Sequence, residues 1–197
     1  MNRFKNLGLI LIFSIGMGIS LVSCDPDQVL YDTGFVPGEE AALLSDRVGW
    51  TITSFTSEET QGEGDTGRVM DILDGDLATF WHSCWTCDPA ASYDHEILID
   101  MGESFSVAGI EYTHRQGGGR GVKRFEVQLG DANNNFVSVG EFETEDGRGA
   151  DGNDEPQDFM FESPSDARYI KLILKEAHDG QGFAAISEVN AFIMVAL

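Results

Sequence analysis

Basic residues are scarce in this chain: it carries 12 Lys and Arg against 34 Asp and Glu, a formal net charge of −22. Removing residues 1–23, which hold Arg3 and Lys5 and no acid, leaves 10 basic residues against 34 acidic ones, or −24. So acidic a domain repels phosphate backbones and anionic membrane surfaces, which excludes nucleic acid as a partner. Cations and neutral sugars remain compatible with it, and most of the charge reads as a solvated surface. There is no fixed-period repeat, no βαβ alternation and no nucleophile motif, and 34 acids make chance carboxylate pairs inevitable, so pairing alone is no sign of an enzyme. Cysteine is also rare, with three residues in 197, at positions 24, 84 and 87.

Long apolar runs are limited to one, Leu7 to Val22, preceded by Arg3 and Lys5. It is short for a transmembrane span and has the layout of a secretory signal. The ending Leu21-Val22-Ser23-Cys24 resembles a bacterial lipobox, in which Cys24 is acylated and becomes the mature N-terminus. The alternative is an ordinary signal cleaved near Ser23. Acyl chains on Cys24 hold a protein to a membrane without spanning it. The expected organisation is a lipoprotein signal peptide at 1–23, a tether at 24–45 and one folded domain at 46–197. Asp25 to about Ser45 mixes Asp, Gly, Pro and Glu with little periodicity, as a tether does. The acidic Asp25-Pro26-Asp27-Gln28 resembles surface-export signals of some Gram-negative groups. The expected location is the cell envelope, lipid-anchored to a bacterial outer membrane or cell surface.

From Trp50 onward the apolar pattern is short and has a period near two. Trp50 to Phe55, Ile97 to Met101, Val107 to His114, Phe125 to Leu129, Phe136 to Phe142, the stretch around Phe159 and Phe161, Tyr169 to Leu174 and Val189 to Val195 read as strands. Turn residues separate them, among them Gly102-Glu103-Ser104 and the run Asp131 to Asn135. Arg68 to Leu73 is the one helical candidate, a turn or two ending at Asp74-Gly75. Many short strands with Gly, Asn and Asp punctuation predict an all-β antiparallel sandwich or barrel.

Three segments carry a resemblance: Ile72 to Trp81 (ILDGDLATFW), Ile99 to Arg115 (IDMGESFSVAGIEYTHR) and Ala167 to Phe192 (ARYIKLIL…FAAISEVNAF). With the strand-turn-strand from Gly119 to Gly140 they resemble the discoidin, or coagulation factor 5/8 type C, domain, and within it the carbohydrate-binding modules of family 32. The resemblance covers Asp46 to Met194. It implies an eight-stranded antiparallel jelly-roll β-sandwich of the galactose-binding-domain kind, with ligand loops at one end.

Asp74, Asp76 and Thr79 crowd one tight loop that offers carboxylates, a hydroxyl and carbonyls to a hard cation. An ordinary Asp-Gly turn without metal is the plainer reading. The resemblance adds Glu188 from the last strand and implies one structural calcium held by all four residues. For the ligand loops it implies His82 and Trp85, three residues apart, Arg115 at a strand end, Glu63 in the first loop and Phe183 near the C-terminal loop. An aromatic face packs on the C–H face of a sugar ring while Arg and His fix its hydroxyls. Plainer readings stand beside these: Trp81 as core, Trp85 as cover over the sandwich end, Arg115 paired with an acid, His82 as a satisfied loop histidine. Arg120 departs from the family, standing in a Gly-rich stretch (Gly117 to Gly121) where members often have Asn. A long cation there points towards an acidic sugar instead of a galactose-type one, or to no sugar at all.

Cys84 and Cys87 are expected to close a small disulfide ring bracing the loop that carries Trp85. Redox catalysis would need a thioredoxin-like context that is lacking, and zinc would need ligands beyond His82 and His95. The expectation is a non-catalytic glycan-binding lipoprotein, with a protein-binding or adhesion role for the same loops as the alternative.

Overall fold

The computed structural model describes residues 38–44, 46–117, 119–146 and 155–197. The expected signal peptide, Cys24 and most of the expected tether lie outside them. The strands are β1 (Glu39–Leu43), β2 (Thr51–Phe55), β3 (Trp81–His82), β4 (His95–His114), β5 (Val122–Gly130), β6 (Phe136–Glu143), β7 (Gln157–Ala177) and β8 (Ala185–Ala196). A single 3-10 turn, Val69–Leu73, stands where the helical candidate was expected.

All strand pairings are antiparallel and belong to one eight-stranded sheet in the order β1-β8-β4-β7-β5-β6, with β2 added on β4 and β3 on β8. The sheet curls over itself because β4 and β7 each run through two layers. The first half of β4 lies between β2 and the second half of β7. Its second half lies between β8 and the first half of β7. Ile97, Ile99, Ile170, Leu172 and Leu174 of one layer and Val107, Ile110, Tyr112, Phe161, Ile186 and Val189 of the other meet in one buried cluster. The jelly-roll sandwich is thus the architecture of the chain.

Two expectations need correcting. Ile97 to Met101 and Val107 to His114 are not separate strands, nor are the Phe159 and Tyr169 stretches; each pair is one long strand. The ladder absorbs the irregular residues as register shifts, between Asp100 and Phe105 and between Val107 and Gly109. Gly102 takes φ +83° there, open to glycine at little cost, and its N–H bonds to the Asp100 carboxylate at 2.8 Å. Second, Glu39–Leu43 is not tether. It pairs with β8 from Glu39 opposite Ala196 to Leu43 opposite Phe192, so the folded domain starts before residue 46.

Candidate functional site

One end of the sandwich gathers the loop between β2 and the 3-10 turn, the Cys84–Cys87 loop after β3, the end of β4, the turn before β5 and the turn before β8. A cavity of about 550 Å³ opens among them, lined by Glu63, His82, Trp85, Arg115, Gly119, Arg120 and Phe183. The six side chains expected at the ligand site therefore share one wall. Trp81, by contrast, is fully buried core, its indole N–H bonded to the Ser57 carbonyl at 2.9 Å.

Trp85 is held as an open platform. The residue is 42% exposed, and its indole N–H donates to Glu63 Oε1 at 3.1 Å. The ring packs close against Gly62, where an added Cβ would stand 2.1 Å from Trp85 Cζ2, so only glycine fits. Cys84 and Cys87 form the expected disulfide, with Cα atoms 5.6 Å apart. The base of that loop is stitched to the residue just before β8: Ser83 N–H donates to Ala184 O at 2.9 Å, and Ala184 N–H to Ser83 Oγ at 3.0 Å.

Glu59, fully buried beneath this loop, is a site residue that the sequence did not reveal. Its Oε1 accepts the N–H groups of Gln61 (2.8 Å) and Gly62 (2.9 Å) and the Thr86 hydroxyl (2.8 Å). Its Oε2 accepts the N–H groups of Trp85 (3.1 Å) and Thr86 (2.9 Å). Burial alone would push this carboxyl up; the amides of Gln61, Thr86 and Gly62 and the Thr86 hydroxyl outweigh it and hold the pKa down to about 2. One carboxylate thus ties the first loop to the Trp85 loop. Nothing marked it among 34 acids.

His82 Nδ1 lies 2.6 Å from the Ser83 carbonyl, which only accepts, so that nitrogen carries the proton. Burial lowers the histidine's pKa, and Nε2 is left as a lone-pair acceptor. It faces Glu63 Oε1 at 4.0 Å. Arg115 stacks on Phe80, 3.9 Å from the ring centroid, and donates to Glu63 Oε2 at 3.3 Å. Phe183 is fixed from behind: the Tyr93 hydroxyl donates to its carbonyl at 3.1 Å, and His95 Nε2 to the Gly182 carbonyl at 2.9 Å. Arg120 has φ +74°, a left-handed backbone that costs a side-chain-bearing residue, and Ala185 N–H holds its carbonyl at 2.9 Å. Its guanidinium pairs with Asp179 and sits 5.8 Å from the Phe183 ring centroid.

The expected metal residues meet at another place, between the Asp74 turn and β8. Glu188 Oε1 accepts Gly75 N–H at 2.6 Å, and Oε2 takes Arg47 Nη1 at 2.6 Å. Thr79 Oγ1 lies 2.8 Å from both Asp74 Oδ2 and the Asp76 carbonyl. The Asp76 carboxylate turns instead to Ala78 N–H at 2.9 Å. Among the described residues no three His, Cys, Asp or Glu side chains are grouped to hold a metal. Burial, opposed by Arg47 and the Gly75 amide and aided by the Asp74 carboxyl, pushes Glu188 up to about 7. Two crowded carboxyls, a hydroxyl and a carbonyl form an oxygen set whose chemistry fits a hard cation.

The model of the F5/8 type C domain matches residues 51–189. The chain belongs to this family. A sialidase of Micromonospora viridifaciens is 32% identical over 151 residues, which are 75% of this chain and 22% of that protein. The chain therefore spans about a fifth of that relative's length. The C-terminal domain of a chitobiase from Bacteroides fragilis superposes with TM-score 0.67 at 31% identity, covering 78% of this chain and 99% of that one. A family 32 carbohydrate-binding module from Clostridium perfringens, solved with galactose, superposes with TM-score 0.62 at 26% identity, covering 78% and 98%. This F5/8 type C domain is thus of the carbohydrate-binding-module kind.

Proposed function

We propose that this chain is a non-catalytic glycan-binding lipoprotein that holds a galactose-type or acidic sugar in its end loops. The observation that carries the reading is the convergence, on one open cavity, of an exposed indole face, the Arg115 donors and the acceptor pair of Glu63 and His82. The indole face suits the apolar side of a hexose, and the polar groups suit its hydroxyls. A protein-binding role would want a flat loop end with Trp85 covered, and the cavity is concave with Trp85 open. The galactose bound by the superposed Clostridium module supports the same direction. Lipidation at Cys24 would place the domain on the cell envelope. A glycan array probed with the full-length protein in detergent, followed by calorimetry, is expected to give saturable binding to terminal hexoses. No binding on either would end the reading.

Calcium completes the proposal. Asp74, Glu188, Thr79 and the Asp76 carbonyl would hold it, and the ion would tie an early loop to the last strand. Glu188 sets the pH dependence. Its pKa is about 7 in the fold and 4.5 ordinarily, so without the ion the native state keeps a proton that the unfolded chain releases. Stability then falls as pH rises between those values. Calcium needs the carboxylate, so its stabilising effect is expected to grow across that window. Thermal melts with calcium or chelator at both ends of the range check this; identical curves at the upper end would remove the ion.

A further inference from the structure

We propose that Asp179 decides which sugars the pocket takes: by neutralising Arg120 from behind the wall, it makes a site with two arginines select neutral hexoses over uronic, sulfated or sialylated ones. This rests on the sugar-binding reading above and narrows it.

Both guanidinium groups of the wall are already answered by a carboxylate. Arg115 lies 3.3 Å from Glu63 Oε2, and Arg120 is paired with Asp179. With His82 neutral, the charges of these groups sum to zero. An anionic sugar gains most from an unpaired guanidinium fork, and neither arginine offers one. A neutral hydroxyl asks less: it needs single N–H donors, of which a guanidinium has several beyond those in its ion pair.

The acceptor side of the wall points the same way. His82 Nε2 and Glu63 Oε1 stand 4.0 Å apart, and both are acceptors. Hydroxyl groups can donate to them, whereas a carboxylate or sulfate brings only further lone pairs and like charge. The chain's net charge of −22 adds a field that opposes any anion arriving from solution.

Asp179 is built to do this. Its side chain is only 13% exposed, so the carboxylate is held at the wall and not in solvent. Its Oδ1 is fixed by Gln181 N–H at 2.9 Å, and Oδ2 takes the arginine. Burial pushes the carboxyl up, but the Gln181 amide and Arg120 outweigh it and keep it below the usual range, hence ionised. Arg120 meanwhile occupies a left-handed backbone at φ +74°, the kind of local strain that persists at sites in use. An arginine there with its own counter-ion retains the reach of a long donor without the appetite for anions.

The test uses the full-length protein in detergent and two probes that differ only at C6, methyl galactoside and methyl galacturonoside. Calorimetry on the parent is expected to show the neutral probe bound at least about tenfold more tightly. Asp179→Asn keeps an oxygen for Gln181 N–H and removes the charge, and is expected to shift that ratio about tenfold towards the acid. Arg120→Gln, which leaves Asp179 unanswered, is expected to deepen rejection of the acid, and serves if the first variant fails to fold. A parent that prefers the acid, or variants with the parent's ratio, would overturn the assignment of Asp179 while leaving sugar binding intact. A parent that binds neither probe would overturn both.

Discussion

Replacing Glu59 with alanine is expected to destabilise the domain by about 3–5 kcal/mol, because several part-buried donors lose their shared acceptor at once. In a domain of this size that lowers the melting temperature by about 10 °C or more. Five hydrogen bonds from four residues end on this one side chain. Removing it leaves the part-buried amides of Gln61, Gly62, Trp85 and Thr86 without their acceptor all at once. Glutamine is no rescue, since its NH2 would face amides that also donate. The pH dependence has a definite sign. The folded pKa is about 2 against an ordinary 4.5, so the carboxylate's contribution is complete above 4.5 and is lost as pH falls towards 2. Acid melts of the parent should show this loss, and those of Glu59→Gln should lack that component. A Glu59→Ala protein melting within about 2 °C of the parent would remove Glu59 as the tie between the loops.

Trp85→Ala is expected to weaken sugar binding by about 30-fold or more, as losses at buried aromatic anchors do. The ring supplies the apolar platform, and its indole N–H also orients Glu63. Trp85→Phe should fall between, keeping a face and losing the orienting bond. Gly62→Ala offers a control that keeps the identity of every binding side chain and disturbs only the seat of Trp85. Its new methyl would stand 2.1 Å from Trp85 Cζ2 and must displace the ring. It should therefore lower affinity while the remainder of the domain folds as before. Calorimetry on the three variants checks the order; an unchanged affinity for Trp85→Ala would show that the platform is elsewhere.

Much of this was legible in the sequence, for physical reasons that also explain the omissions. Phe125 to Leu129 and Tyr169 to Leu174 alternate because one side of each strand faces the core. β1 was missed because it is a short edge strand, Glu-Glu-Ala-Ala-Leu, with no fully buried residue to impose alternation. The continuity of β4 was hidden by Gly102-Glu103-Ser104, which read as a turn; long-range pairing with β7 carries the strand through it. The same pairing carries β7 past Pro164. The pocket residues came from motif positions shared with relatives, not from periodicity. Glu59 and Asp179 had no such marker, since a buried carboxylate and a solvated one are the same letter until the fold supplies their partners.

β8 has a consequence for how the pocket is presented. It begins at Ala185, opposite His82 beside the cavity, and ends at Ala196, opposite Glu39. Its 12 residues carry the chain roughly 35 Å along the strand. Residue 38 therefore emerges at the pole remote from the ligand loops. The described chain thus enters the sandwich at one end and opens its cavity at the other, with the full length of the last strand between them.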